Sequence, residues 1–340
     1  MAVVFSGTKV PQSEIEEIQM EIYADWGTFR DADVDINEGH KSGADVYESK
    51  VSVNMLAHTT GEVAAGSDVL GVQKSVVNLT KIMFADTVNY ETLLDTRFER
   101  SMQAGAFNTV SSEFDNKVLQ QVSPAIAQTM ESVSWDGATT AQKALIAGLT
   151  PGAAQGSISA GAQTLAAAMP TNLVNSLPAI ILHNDSQSKD TPGAGLGDYK
   201  KVLNIATITS STIAAEYAKL YATLDPKVLA MEEVIIYAPL AHRQLMKIAN
   251  NSVGAASNQN FLFEGDKASY NGVEVKFKPL VGFMIASPAK YLKILMDLAS
   301  DVSHLETGKM ANGSEEYFYK NVQAYATWCT NQRYITLYGG

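Results

Sequence analysis

The sequence predicts an α+β fold, and three stretches predict it. Residues 107–132, FNTVSSEFDNKVLQQVSPAIAQTMES, place Phe107, Val110, Phe114, Val118, Val122, Ile126 and Met130 three or four positions apart. That spacing is the apolar stripe of a long helix. Residues 207–225, TITSSTIAAEYAKLYATLD, carry a second stripe in Ile213, Tyr217, Leu220 and Leu224. Residues 269–297, SYNGVEVKFKPLVGFMIASPAKYLKILMD, read as a tight hairpin followed by further strands. Asn271-Gly272 between strand-like flanks is the strongest short-range hairpin signal available.

The elements follow in order. Residues 1–12 read as a loose arm, and Ser13 with Glu16 has the S-x-x-E form of a capping box opening a short helix. Residues 27–45 are polar and turn-rich. In SKVSVNML, Val51, Val53 and Met55 alternate with polar residues, and VQKSVVNLTKIMF (72–84) is rich in β-branched residues. Both are strand signals. The link between them is small and polar, so the pair reads as a long two-stranded excursion with little core of its own. YETLLDTRFERSM (90–102) is helical by composition. In the long helix Pro124 removes a backbone donor, which predicts a kink or the end of a first segment. Residues 137–182 hold one charged residue, Lys143; TAQKALIAGL there allows a helix, and the remainder reads as an Ala/Gly-rich insertion. The 207–225 helix has Thr209 or Ser210 as its cap and Pro226 just beyond its end. From residue 231 onward the order is strand, helix, strands.

Composition narrows the class. The chain has 340 residues, 46% of them apolar. That length suits two or three units of roughly 150 residues with a sizeable core. A net charge of −11 argues against a sequence-reading nucleic-acid binder, which would carry a basic face. Cys329 is the single cysteine, which leaves no intrachain disulfide and points to a reducing compartment. The N-terminus lacks a charged segment followed by an apolar run, so no signal peptide is expected. No window approaches the roughly 18 apolar residues of a spanning helix.

Motifs that carry chemistry are mostly missing. His40, His58, His183, His242 and His304 never fall three or four apart, so no helix face is spelled out as a metal site. His242 reads as a surface or satisfied residue. Asp31, Asp33 and Asp35 have the spacing of a calcium loop, but Ile36 and Ser42 stand where it needs Gly and Glu. A solvated acidic turn fits better. GSISAG (156–161) has one residue too many for a nucleophile elbow, and GAGLGD (193–198) ends in Asp where a dinucleotide loop needs Gly. Cys329 lies in an alternating strand and reads as structural or partly exposed. Tyr317, Phe318, Tyr319, Tyr325, Trp328, Tyr334 and Tyr338 are interleaved only with Lys320 and Arg333, so packing fits them better than base stacking.

The order of these elements resembles the tailed-bacteriophage major capsid proteins with the Hong Kong 97-like fold. Residues 51–77 resemble the extended E-loop, 107–132 the spine helix, and VIIYAPLAHRQLMKIANN (234–251) the axial-domain strand and helix. Residues 269–297 are similar to the family's hairpin and apolar strand, and 301–339 to its closing strands. The resemblance implies an α+β Hong Kong 97-like fold with N-arm, E-loop, spine helix, peripheral (P) domain and axial (A) domain. Its divisions would be an N-terminal arm at 1–45, E-loop at 46–85, and P-domain at 86–230 with an Ala/Gly-rich insertion at 137–200. The A-domain would follow at 231–300 and closing P-domain strands at 301–340.

It implies a non-enzymatic structural subunit, without cofactor or metal, forming pentamers and hexamers of an icosahedral virion head around double-stranded DNA. Its partners would be itself, portal, scaffold or protease proteins, cement proteins, and DNA held without sequence specificity, with no membrane. Synthesis would occur in the host bacterial cytoplasm. No Glu/Lys-rich scaffold segment precedes the arm, so a scaffold is expected to be absent, separate or cleaved. No Lys–Asn pair is marked for a covalent crosslink. Assembly contacts are expected at Val51, Val53, Met55, Val69, Leu70, Val72, Phe107, Phe114, Val118, Asn271 and Gly272. An encapsulin-like nanocompartment shell is the alternative within the fold; an α+β hydrolase with a dispersed site is the rival from another class.

Overall fold

The computed structural model describes Ile22 and residues 25–51, 70–89, 112–148, 160–186, 200–203, 208–224, 226–231, 234–252, 261–265, 267–297, 305–309, 316–331 and 334–339. In chain order the first elements are α1 (Gly27–Arg30), β1 (Asp35–Asn37), β2 (Gly43–Val51), β3 (Leu70–Asn78) and β4 (Thr80–Asn89). There follow α2 (Ser112–Trp135), α3 (Thr140–Ala147), α4 (Ala160–Ala168), α5 (Leu177–Ser186), β5 (Lys200–Leu203), α6 (Ile213–Thr223) and α7 (Pro226–Met231). The remainder is β6 (Val234–Pro239), α8 (Leu240–Ser252), β7 (Phe261–Glu264), β8 (Lys267–Tyr270), β9 (Val273–Lys278), β10 (Phe283–Pro288), β11 (Leu292–Met296), β12 (Leu305–Lys309), β13 (Glu316–Cys329) and β14 (Thr336–Gly339). The chain divides into two compact units, one drawn from 1–42, 79–131 and 295–326, the other from 43–78, 132–294 and 327–340.

The first unit is built on a sheet ordered β1-β11-β13-β12, with β4 also on β13. β4 and β13 run antiparallel from Thr80↔Tyr325 to Asn89↔Glu316. Opposed residues share a face, so Ile82, Asn321, Gln323 and Tyr325 form a buried side while Lys81, Met83 and Ala85 face solvent. Trp26 lies fully buried, its ring 6.1 Å from Tyr325 and 5.9 Å from Phe29. The Thr28 amide donates to Glu131 Oε2 at 2.8 Å, joining α1 to α2.

The second unit is organised by a seven-stranded mixed sheet, β5-β14-β10-β6-β9-β8-β7. β6 and β9 are parallel neighbours, and a parallel pair needs a crossover; α8 lies on that crossover. One face buries Val234, Ile236, Ala238, Val273, Val275, Met284, Ala286 and Tyr338 with Ile213, Tyr217 and Leu220 of α6 and Met246 and Ala249 of α8. β6 and β10 are buried at every residue, the two-sided burial that produces continuous apolar runs. The other face is therefore closed at β6, β10 and β14, whereas its β9-β8-β7 half leaves Lys267, Leu262 and Glu264 exposed.

Several sequence expectations change here. The 72–84 run is two strands: β3 pairs with β2 and β4 with β13, separated at Leu79, whose amide donates to Ser42 O at 3.1 Å. A period-2 pattern sets a strand's faces but not its partner. The long helix does not end at Pro124 but runs through it for 24 residues, about 36 Å. Pro124 is exposed while Ile126, Ala127 and Met130 are buried beyond it, so burial outweighs a local cost of about 3 kcal/mol. Residues 107–111 lie outside the described residues. Thr212, not Thr209 or Ser210, occupies the α6 N-cap, with no side-chain cap bond; its Oγ1 accepts from the Thr209 amide at 2.9 Å. β14 pairs with β10 and β5, while β13 pairs with β4 and β12.

The stretch read as an Ala/Gly-rich insertion holds three helices. Thr139 caps α3 by accepting from the Gln142 amide at 3.1 Å. The Gln142 side chain donates to Ala179 O at 3.1 Å, tying α3 to α5. Lys143 Nζ donates to Met169 O and to Thr171 Oγ1, covering the end of α4. Gly137 has φ +99°, and a Cβ there would stand 2.0 Å from Asn172 Nδ2, which donates to Asp136 O at 2.9 Å. Only glycine fits that turn.

Candidate functional site

The β2–β3 ribbon pairs from Gly43↔Asn78 to Val51↔Leu70. Asp45, Tyr47, Lys74 and Val76 share one face, and Ala44, Val46, Ser75 and Val77 the other. Ala44, Val46 and Val77 are buried, while Tyr47 is 61% and Val76 64% exposed. On that outer face Lys74 Nζ lies 2.7 Å from Asp45 Oδ2 and 6.0 Å from the Tyr47 ring centroid. The Asp45 hydrogen bond raises the Lys74 pKa. Exposed pairs of this kind contribute little stability; here the pair orders the side chains around two large exposed groups. An isolated ribbon is marginal in water, so this face is a candidate contact surface.

The ribbon brings Val51 opposite Leu70 and sets Val72 opposite Ser49. Val53, Met55, Val69 and Phe107 lie outside the described residues. Phe114 and Val118 lie on α2. Asn271 and Gly272 form the turn between β8 and β9, with φ +49° and +82° and Tyr270 paired to Val273.

Of the residues weighed for chemistry, His242, Asp33 and Cys329 are buried. His242 is buried and shares a 3.2 Å hydrogen bond with Tyr217 Oη through Nδ1. Burial lowers its pKa from 6.5 to about 4. The folded protein thus keeps His242 neutral where the unfolded chain takes up a proton. Stability should fall as pH drops from 6.5 towards 4 and level off below, a loss of at most about 3 kcal/mol. Denaturant midpoints should track that slope, and His242→Leu should flatten it; an unchanged slope in the variant assigns the effect elsewhere.

Asp33 is buried, which corrects the reading of 31–42 as a solvated turn; Asp31 pairs with Arg30 at 2.8 Å. Cys329 is fully buried and not partly exposed. Of the aromatic cluster, Phe318, Tyr325 and Tyr338 are buried, and Tyr334 stacks on Tyr291 at 5.5 Å. GAGLGD lies outside the described residues, as does GSISAG except for its last two residues, which open α4. Among the described residues no three His, Cys, Asp or Glu side chains converge on a metal position, and no helix is long and apolar enough to cross a membrane.

One polar cluster escaped the sequence reading. Tyr338 Oη, on β14, donates to Glu216 Oε2 on α6, and Lys219 Nζ donates to Oε1 at 2.7 Å. Glu216 and Tyr338 are both buried, so the pair fastens the last strand to the helix layer. Glu216-x-x-Lys219 is visible as a helical pair; its third member, 122 residues on, is not.

No family model and no curated protein matches the chain. Solved structures do. The capsid of a native GTA particle matches at TM-score 0.50 and 11% identity, covering 100% of this chain and 93% of that one. A satellite phage P4 procapsid structure matches at 0.49 and 8%, covering 95% and 98%, and a virus-like particle from Pyrococcus furiosus at 0.48 and 7%, covering 96% and 98%. The chain therefore has a capsid-protein fold of the α+β class. It is of the Hong Kong 97-like kind.

Proposed function

We propose that this chain is a structural, non-enzymatic shell subunit that assembles into pentamers and hexamers of an icosahedral virion head enclosing double-stranded DNA. The observation that carries the reading is the end-to-end likeness to the GTA particle capsid. The ribbon supports it: two strands exposing Tyr47 and Val76 gain a stable environment when a neighbouring subunit covers them. In this reading the ribbon belongs to the E-loop at 46–85, α2 is the spine helix of the P-domain, and residues 231–300 form the A-domain. Val51, Leu70, Val72, Phe114 and Val118 belong to its assembly contacts. A net charge of −11 suits a wall that does not grip packaged phosphate. Portal, scaffold or protease, and cement proteins are the partners such a head requires.

Electron microscopy of the purified full chain tests the reading. Closed shells of uniform diameter are expected. A monodisperse monomer at high concentration that turns over a substrate overturns it. Shells that enclose a protein cargo and exclude nucleic acid replace the virion by a nanocompartment.

A further inference from the structure

We propose that Asn271-Gly272 is a site of spontaneous covalent modification, in which the Asn271 amide converts to aspartate and isoaspartate in the folded protein. Three observations point there. Both residues are exposed. Beyond its chain neighbours, nothing lies within 4 Å of the position a Gly272 Cβ would take, so the turn is open on that side. The ladder closes at Tyr270↔Val273, which leaves the Gly272 N–H outside the strand pairing.

The step balances without oxidant, metal or partner. The Gly272 backbone nitrogen attacks Asn271 Cγ and gives up its proton; the Cγ–Nδ2 bond breaks and ammonia leaves. The resulting five-membered imide is opened by water at either carbonyl, giving aspartate or isoaspartate. Glycine permits the rotation out of the turn because it carries no Cβ to resist it. The consequence is structural as well as electrostatic. Either product adds a negative charge, and isoaspartate inserts an extra carbon into the main chain of a two-residue turn whose length sets the β8–β9 register. Tyr270, Val273 and Val275 are buried on those two strands. Each conversion therefore loosens the end of the seven-stranded sheet that carries β7 and β8.

The test incubates the intact folded protein at mildly alkaline pH for days and digests it with trypsin. Peptide 268–276 contains Asn271, while the chain's other Asn-Gly, Asn312-Gly313, falls on peptide 310–320, so the two are read separately. Peptide 268–276 should gain one dalton and become a substrate for isoaspartyl methyltransferase. Asn271→Gly keeps a glycine-compatible turn and should lower the total isoaspartyl content by that peptide's share. A peptide 268–276 that stays intact in the folded protein, while the same synthetic peptide converts in parallel, overturns the proposal. So does an isoaspartyl content unchanged in Asn271→Gly.

Discussion

Replacing residues 52–69 with a two-residue Asn-Gly turn should yield folded subunits that close no shell. Val51 pairs directly with Leu70, so a two-residue connection at that point matches an ordinary hairpin loop and keeps the ribbon's register. The Asp45–Lys74 pair and the buried Ala44, Val46 and Val77 remain in place. The change removes only a segment whose sequence, dominated by small and polar residues, supplies little core. Subunit stability should therefore shift by less than about 1 kcal/mol, the range of changes remote from buried groups. Sedimentation and electron microscopy read the other half of the result, the loss of closed particles. A narrower variant separates reach from surface. Tyr47→Glu with Val76→Glu leaves the ribbon's length intact but puts two carboxylates on its outer face beside Asp45, and burying them against a neighbour is costly. Closed particles from both variants would remove the ribbon from the assembly contacts.

How far the fold could be read from sequence depended on whether a signal was local. Asn271-Gly272 names its turn by itself, and β8 and β9 flank it as expected. The α2 stripe was readable because helical periodicity is internal to the helix; Pro124 misled only because its local cost is smaller than the burial around it. Residues 72–84 show the limit. Their β-branched residues mark strand, but nothing in them says that Val77 opposes Ala44 while Ile82 opposes Gln323, 241 residues away. Residues 137–182 were opaque for another reason. Ala and Gly carry almost no amphipathic contrast, so α3 and α4 announce themselves weakly. The legible marks were Thr139-x-x-Gln142, the T-x-x-Q form of a capping box, and the apolar Ile146, Leu177, Ile181 and Leu182, all buried. The candidate contact face was half legible: alternation at Val51 and Val53 gave the strand, whereas the outer Tyr47 and Val76 needed the register to meet.

Trp135→Ala should be the most destabilising single change in the second unit. Trp135 is the last residue of α2 and fully buried, with its ring 4.8 Å from Tyr237 of the central strand β6. Lys278 Nζ, on the buried strand residue Lys278, lies 5.6 Å over the same indole. Truncation empties a large volume between helix end and sheet, which costs about 3–5 kcal/mol when the surroundings cannot collapse. They are poorly placed to do so: the next two residues are fixed by Asn172 donating to Asp136 O and by Gly137 at φ +99°. The lost aromatic pair adds about 0.5–1.5 kcal/mol beyond area. Trp135→Phe keeps a ring against Tyr237 and should recover more than half of the loss. Urea midpoints with an unchanged m-value measure both. A Trp135→Ala shift below about 1 kcal/mol, the scale of an ordinary surface change, would mean that the indole does not anchor this face of the sheet. The closed half of that face would then have to be held by α3, α4 and α5 alone, through contacts such as Leu165 against Gly282 and the Gln142 bond to Ala179.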